Sequence, residues 1–178
     1  MHYIDVGCRA LIALVFIVSA TSKLRGRERL RAFAESLPAL VPVRAGQARS
    51  LAPAVALAEL AIVPLVVTPF TASVGCVLAF ALLAGFTVAI AAVVRRGRTA
   101  TCRCFGPAAT PIGRHHLVRN GLFMVAALGG AVPAAGQAHP GGLVVAVVAG
   151  LAAGSILIRL DDLVALYAAP AVGRNKSP

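Results

Sequence analysis

Ala72–Val94, ASVGCVLAFALLAGFTVAIAAVV, runs for more than twenty residues without one charged side chain. As a helix rising ~1.5 Å per residue, it is long enough to cross ~30 Å of hydrocarbon. Pro69 turns the chain before it, and Arg95, Arg96 and Arg98 stop it. The stretch reads as a membrane crossing, and its neighbours repeat the pattern. Hydrophobic residues make up 59% of the 178-residue chain and charged residues only 13%, too little polar surface for a soluble domain of this size. The reading is all-α: a polytopic membrane bundle with a four-helix core and a fifth transmembrane helix. One integral membrane domain spans residues 1–170, and 171–178 form a loose basic tail.

Four further segments lie on either side. The first runs from about Val6 to Ser22; no Lys or Arg precedes it, as a signal peptide would require, so it reads as a retained helix. Asp5 and Arg9 are spaced to pair at its start. The second, about Leu51 to Thr68, carries Glu59 near its middle, and Pro64 is placed to kink it. The fourth, about Leu117 to Val132, opens after His115 and His116 with Arg119 in its first turn. Gln137–Gly142 reads as a turn. The fifth, about Leu143 to Leu160, sets Ala146, Gly150 and Gly154 on one stripe, which lets a neighbouring helix approach closely. Asp161 to Ala169 reads as a separate short surface helix.

Between the first two segments, Leu30, Phe33, Ala34 and Leu37 recur at helical spacing, with Arg27, Arg29, Arg31 and Glu35 on the other side. That is the pattern of an amphipathic helix lying in the interface plane, ended by Pro38 and Pro42.

The formal charge of +11 does not point to nucleic acid, because the basic residues flank apolar segments and form no aromatic-interleaved groove. Beside a bilayer they meet anionic head groups and set orientation. With five crossings, sixteen of the seventeen Lys and Arg lie in the regions after the first, third and fifth segments or, as Arg119 and Arg159 do, at the segment ends that border them; Arg9 is the other. The positive-inside rule then puts the loop after the third segment in the cytoplasm of a bacterial inner-membrane protein.

That loop holds the densest chemistry of the chain: Thr101-Cys102-Arg103-Cys104-Phe105-Gly106-Pro107. Two cysteines at i and i+2 in a turn can approach disulfide distance, and a small strained ring of that kind is labile rather than structural. Arg103, with Arg119 as a further candidate, favours the thiolate that attacks disulfides. Two other readings stand beside this redox pair. Cys102, Cys104, His115 and His116 supply a two-Cys, two-His count for zinc, although adjacent histidines rarely face one ion. The cysteines also serve simply as small residues of a tight turn. Glu59 is the other candidate: a carboxylate at mid-membrane marks a function, such as a small-molecule or proton pathway, or a specific buried partner such as Ser22, Lys23 or Asn120. Cys8 and Cys76 each lie about one turn from the opposite face.

Cys102-x-Cys104-Phe105-Gly106 after a third crossing resembles the MauE family of methylamine-utilisation proteins, within the wider DoxX-like group. Ser22-Lys23-Leu24, Glu59-Leu60 and Arg119-Asn120 are similar to the same pattern, so the resemblance covers roughly residues 6–133. Arg103 stands where family members often carry glycine. The resemblance implies a role in maturing an exported, disulfide-containing enzyme such as amine dehydrogenase, with a thioredoxin-like partner of the MauD type. The sequence does not name the electron acceptor; a quinone is the candidate. A non-catalytic membrane scaffold is the alternative role.

The charge distribution yields a direct test of orientation. Cys102 and Cys104 should be shielded from an impermeant maleimide in sealed cells and react once the cells are opened. Labelling in sealed cells would reverse the orientation.

Overall fold

A computed structural model describes residues 2–41, 43–96, 101–102, 110–111, 114–132 and 139–168, with backbone alone at 45, 101–102, 110–111, 114 and 161–168. Six helices follow in order: α1 His2–Leu24, α2 Arg27–Leu40, α3 Ala45–Val67, α4 Ala72–Arg95, α5 Arg114–Ala131 and α6 Pro140–Ala168. Thr101–Cys102 (β1) and Thr110–Pro111 (β2) form a two-residue antiparallel pair between α4 and α5. Among the described residues, four helices are long and apolar enough to cross a membrane: His2–Leu24, Gly46–Val67, Ala72–Arg95 and Pro140–Leu160. The chain is a multi-pass membrane protein.

Helix α1 packs on α3, α3 on α4, α4 on α5, and α5 back on α1, which closes a ring of four; α6 lies along α1 outside that ring. The four-helix core with an added fifth helix is therefore realised. Helix α5 occupies the place of the fourth expected crossing. Its first two turns carry His115, His116, Arg119 and Asn120, and this polar content leaves it outside the group of long apolar helices. The centre of the ring is filled by Ile12, Val15, Phe16, Val66, Cys76, Ala79 and Phe123, all buried.

The small-residue stripe of α6 meets α1. A methyl group added at Gly150 would run into the Gly7 carbonyl, and one at Gly7 would lie 3.1 Å from the carbonyl oxygen of Ala146. Gly142 sits against the Tyr3 ring and Gly154 against Leu11 and Leu14, so α1 and α6 run parallel. Lipid tails are as apolar as leucine, so association here depends on backbone proximity that only small residues allow.

Three local expectations are corrected. Pro38 does not end α2: it lies in the last turn, and Val41 N–H still bonds the Leu37 carbonyl at 2.9 Å. Pro140–Gly142 is not a turn but the first turn of α6. The His139 carbonyl accepts from Gly142 N–H at 3.0 Å, His139 Nδ1 accepts from Gly141 N–H, and Pro140 gives up an N–H that the first turn does not use. The backbone from Asp161 onward continues α6 to Ala168 without a break. Pro53 and Pro64 lie inside α3, which runs on through both.

The different surroundings of the two α6 glycines give a stability test. Gly150→Ala meets fixed backbone and should cost about 1–3 kcal/mol. Gly154→Ala meets the flexible end of Leu14, 3.2 Å away, and should cost less. Thermal unfolding of the two variants in one detergent measures the order; equal losses would mean that α1 and α6 are not in backbone contact.

Candidate functional site

Lys23 and Ser19 are one helical turn apart on α1, so both side chains point to the same side. That side faces Glu59 of α3. Lys23 Nζ donates to Glu59 Oε1 at 2.9 Å and Oε2 at 2.8 Å, and to Ser19 Oγ at 2.7 Å. Ser19 Oγ in turn donates to Glu59 Oε1 at 3.0 Å. Lys23 and Glu59 are each only 1% exposed. Glu59 thus points into the bundle, toward one of the partners expected for it.

Helix α2 covers this cluster. Its stripe of Phe33, Ala34 and Leu37 packs on Ala48 and Ala52 of α3. Phe33 is placed so that Lys23 Nζ stands 4.9 Å from its ring centroid, where the face of the ring stabilises a desolvated ammonium by about 1–2 kcal/mol. The amphipathic pattern of α2 gives the burial of Phe33 but carries no sign of the ammonium beneath it. The role of Ser19 has one sequence signal, its position one turn before Lys23.

Arg119 and Asn120, buried on α5, share a cavity of about 20 Å³ with Ser19, Glu59, Phe86 and Ile90. That volume suits a water molecule among polar groups. His116 is also buried, and its ring lies 4.1 Å from that of His115, centroid to centroid. The polar residues that open α5 are therefore placed toward the side of the bundle where Glu59 sits.

At the other end of the ring, Arg9 Nε donates to the Gly130 carbonyl at 3.0 Å while its charge lies 2.6 Å from Asp5 Oδ1. The expected Asp5–Arg9 pair forms, and it also ties α1 to the last turn of α5.

The cysteine loop starts in a hairpin stem. Thr101 pairs with Pro111 and Cys102 with Thr110. The side chain of Cys102, together with Arg103 and Cys104, lies outside the described residues, so the redox pair and the cysteine half of the zinc alternative fall there as well. Among the described residues no three His, Cys, Asp or Glu side chains gather as a metal site.

A closed ring of four helices, a fifth clasped outside it, an ion pair locked in the interior and a cysteine-bearing hairpin between α4 and α5 define a small multi-pass membrane protein with polar chemistry confined to a few points. Residues 1–133 match the family model of methylamine utilisation protein MauE, and the chain belongs to that family, which links it to methylamine utilisation. No curated protein and no solved structure matches it.

Breaking a buried pair leaves one uncompensated charge, whereas replacing both members with apolar groups removes the problem. Lys23→Met and Glu59→Leu should each cost about 3–5 kcal/mol, and the double variant should recover most of that loss. Unfolding of the three variants in one detergent checks this. A double variant as unstable as the sum of the singles would mean that the two side chains are not coupled.

Proposed function

We propose that this protein supports the maturation of an exported, disulfide-containing enzyme of methylamine oxidation, such as amine dehydrogenase, by thiol–disulfide chemistry at Cys102 and Cys104. A thioredoxin-like protein is the partner that exchanges with this pair. The observation that supports the reading is the backbone pairing of Thr101–Cys102 with Thr110–Pro111, which anchors the first residue of the motif, Cys102, between two bundle helices.

The chemistry is an exchange. A thiolate on one protein attacks a disulfide sulfur on the other, a mixed disulfide forms, and the second thiol of the motif resolves it. Arg103 beside the two thiols favours the attacking anion, and Arg119 is the second cation proposed for that role. The buried Ser19–Lys23–Glu59 cluster supports a positioning role for Glu59: both of its oxygens accept from Lys23, so it holds α1 to α3 under the cover of α2.

Cells growing on methylamine supply the test. Cys102→Ser and Cys104→Ser should each abolish accumulation of mature amine dehydrogenase while the variant remains in the membrane at the wild-type level. Normal maturation in both variants would sink the thiol–disulfide reading and favour a scaffold.

A further inference from the structure

Two more thiols stand at the end of the bundle opposite the hairpin. Cys8 lies two turns into α1 and Cys76 in the first turns of α4, and both are free. They converge on consecutive glycines of α5. A methyl group at Gly129 would lie 3.1 Å from Cys8 Sγ; one at Gly130 would lie 3.1 Å from Cys76 Sγ, 3.2 Å from Arg9 Cγ and 3.5 Å from the Arg9 backbone nitrogen. Cys76 Sγ therefore lies close to the peptide that joins Cys8 to Arg9. With no side chain at either glycine, both sulfurs lie against the α5 backbone at neighbouring positions, and Cys8 packs against the core cluster that contains Cys76.

Cys8 also borders a groove on the outside of the ring. The groove holds about 620 Å³ between α1 and α6, and its walls include Tyr3, Ile4, Cys8, Gly142, Val145 and Ala149. Ile4, Val145 and Ala149 are exposed, so in a membrane the groove opens to lipid. Its lining is almost wholly apolar, and two groups in it carry chemistry: the Cys8 thiol and the Tyr3 hydroxyl. Tyr3 Oη accepts from His139 N–H at 3.0 Å, which leaves its own proton to donate. An apolar slot with a thiol in its wall and a hydroxyl donor at one end matches a flat, lipid-soluble molecule bearing a carbonyl oxygen.

We infer that Cys8 and Cys76 form a second dithiol, oxidised to a disulfide by a quinone seated in the groove between α1 and α6. The two S–H bonds break and one S–S bond forms, with both side chains turning across the gap left by Gly129 and Gly130. The two electrons and two protons pass to the quinone oxygens and give the quinol. Tyr3 holds one of those oxygens. This deepens the thiol–disulfide reading above and rests on it only for the fate of the disulfide.

The experiment uses full-length protein in lipid nanodiscs, in a Cys102→Ser/Cys104→Ser background, so that failure of the hairpin chemistry does not enter. After reduction and removal of oxygen, a short-tailed ubiquinone is added. Alkylation with mass spectrometry reads the Cys8–Cys76 disulfide, and absorbance reads the quinol. The expected result is a disulfide matched by an equal amount of quinol. Ala149→Phe, which fills the groove from its exposed side, should lose the quinone-driven reaction while diamide still joins the two cysteines. No disulfide with the quinone in the Ala149 parent, or undiminished reaction in Ala149→Phe, would overturn the quinone site. Failure of diamide to join Cys8 to Cys76 in the parent would overturn the dithiol itself.

Discussion

A carboxylate and an ammonium sit together in the interior of a bundle whose surroundings are hydrocarbon, and the arrangement of α1, α2 and α3 follows from that pair. Neither ion tolerates this depth alone. Lys23 has to meet Glu59, which brings the end of α1 to the middle of α3; Ser19, one turn back, satisfies a further lone pair. The Phe33 ring of α2 lies over the ammonium on its remaining side. The basic outer side of α2 then has water and lipid head groups to meet, and its apolar stripe has α3 to cover.

The remaining helices are held by a different constraint. No hydrophobic force drives helices together within lipid, so α6 holds to α1 where backbone meets backbone at Gly7, Ala146 and Gly150. At the far end of α5, Gly129 and Gly130 let α1 and α4 approach from two sides, and the Arg9 guanidinium closes the contact by taking the Gly130 carbonyl. A buried ion pair fixes one end of the ring, and glycine contacts together with the Asp5–Arg9 pair fix the other.

Much of this was legible in the residues themselves. Uncharged length announces α4 without ambiguity, and the 146–150–154 stripe announces a close neighbour, although not that the neighbour is α1. Glu59 announces a buried partner, and Lys23 is among the few polar residues at a matching depth. Where the reading went astray, local signals had been overridden by their setting. Pro38 breaks a helix interior but not a last turn, and Pro140 starts a helix because the N–H it lacks is one that the first turn leaves unbonded. The covering of Lys23 by Phe33 and the meeting of Cys8 and Cys76 at adjacent glycines of a third helix depend on the packing of three elements, which no single periodicity encodes.

The two ends of the bundle also differ in what they can do. The Glu59 end is saturated: both carboxylate oxygens, the ammonium and the Ser19 hydroxyl are committed to one another, and the cavity beside them has room for little more than a water molecule. The hydrogen bonds of Glu59 tie α1 to α3. The Cys8 end has free thiols, a wide groove and a hydroxyl with a proton to give. The two-residue pairing of Thr101–Cys102 with Thr110–Pro111 joins α4 to α5 on the side of the Glu59 cluster. At the opposite end, Gly129 and Gly130 leave the sulfurs of Cys8 and Cys76 against the backbone of α5. In a chain with so few polar groups, this division puts the second pair of thiols where the helices have least to hold them apart.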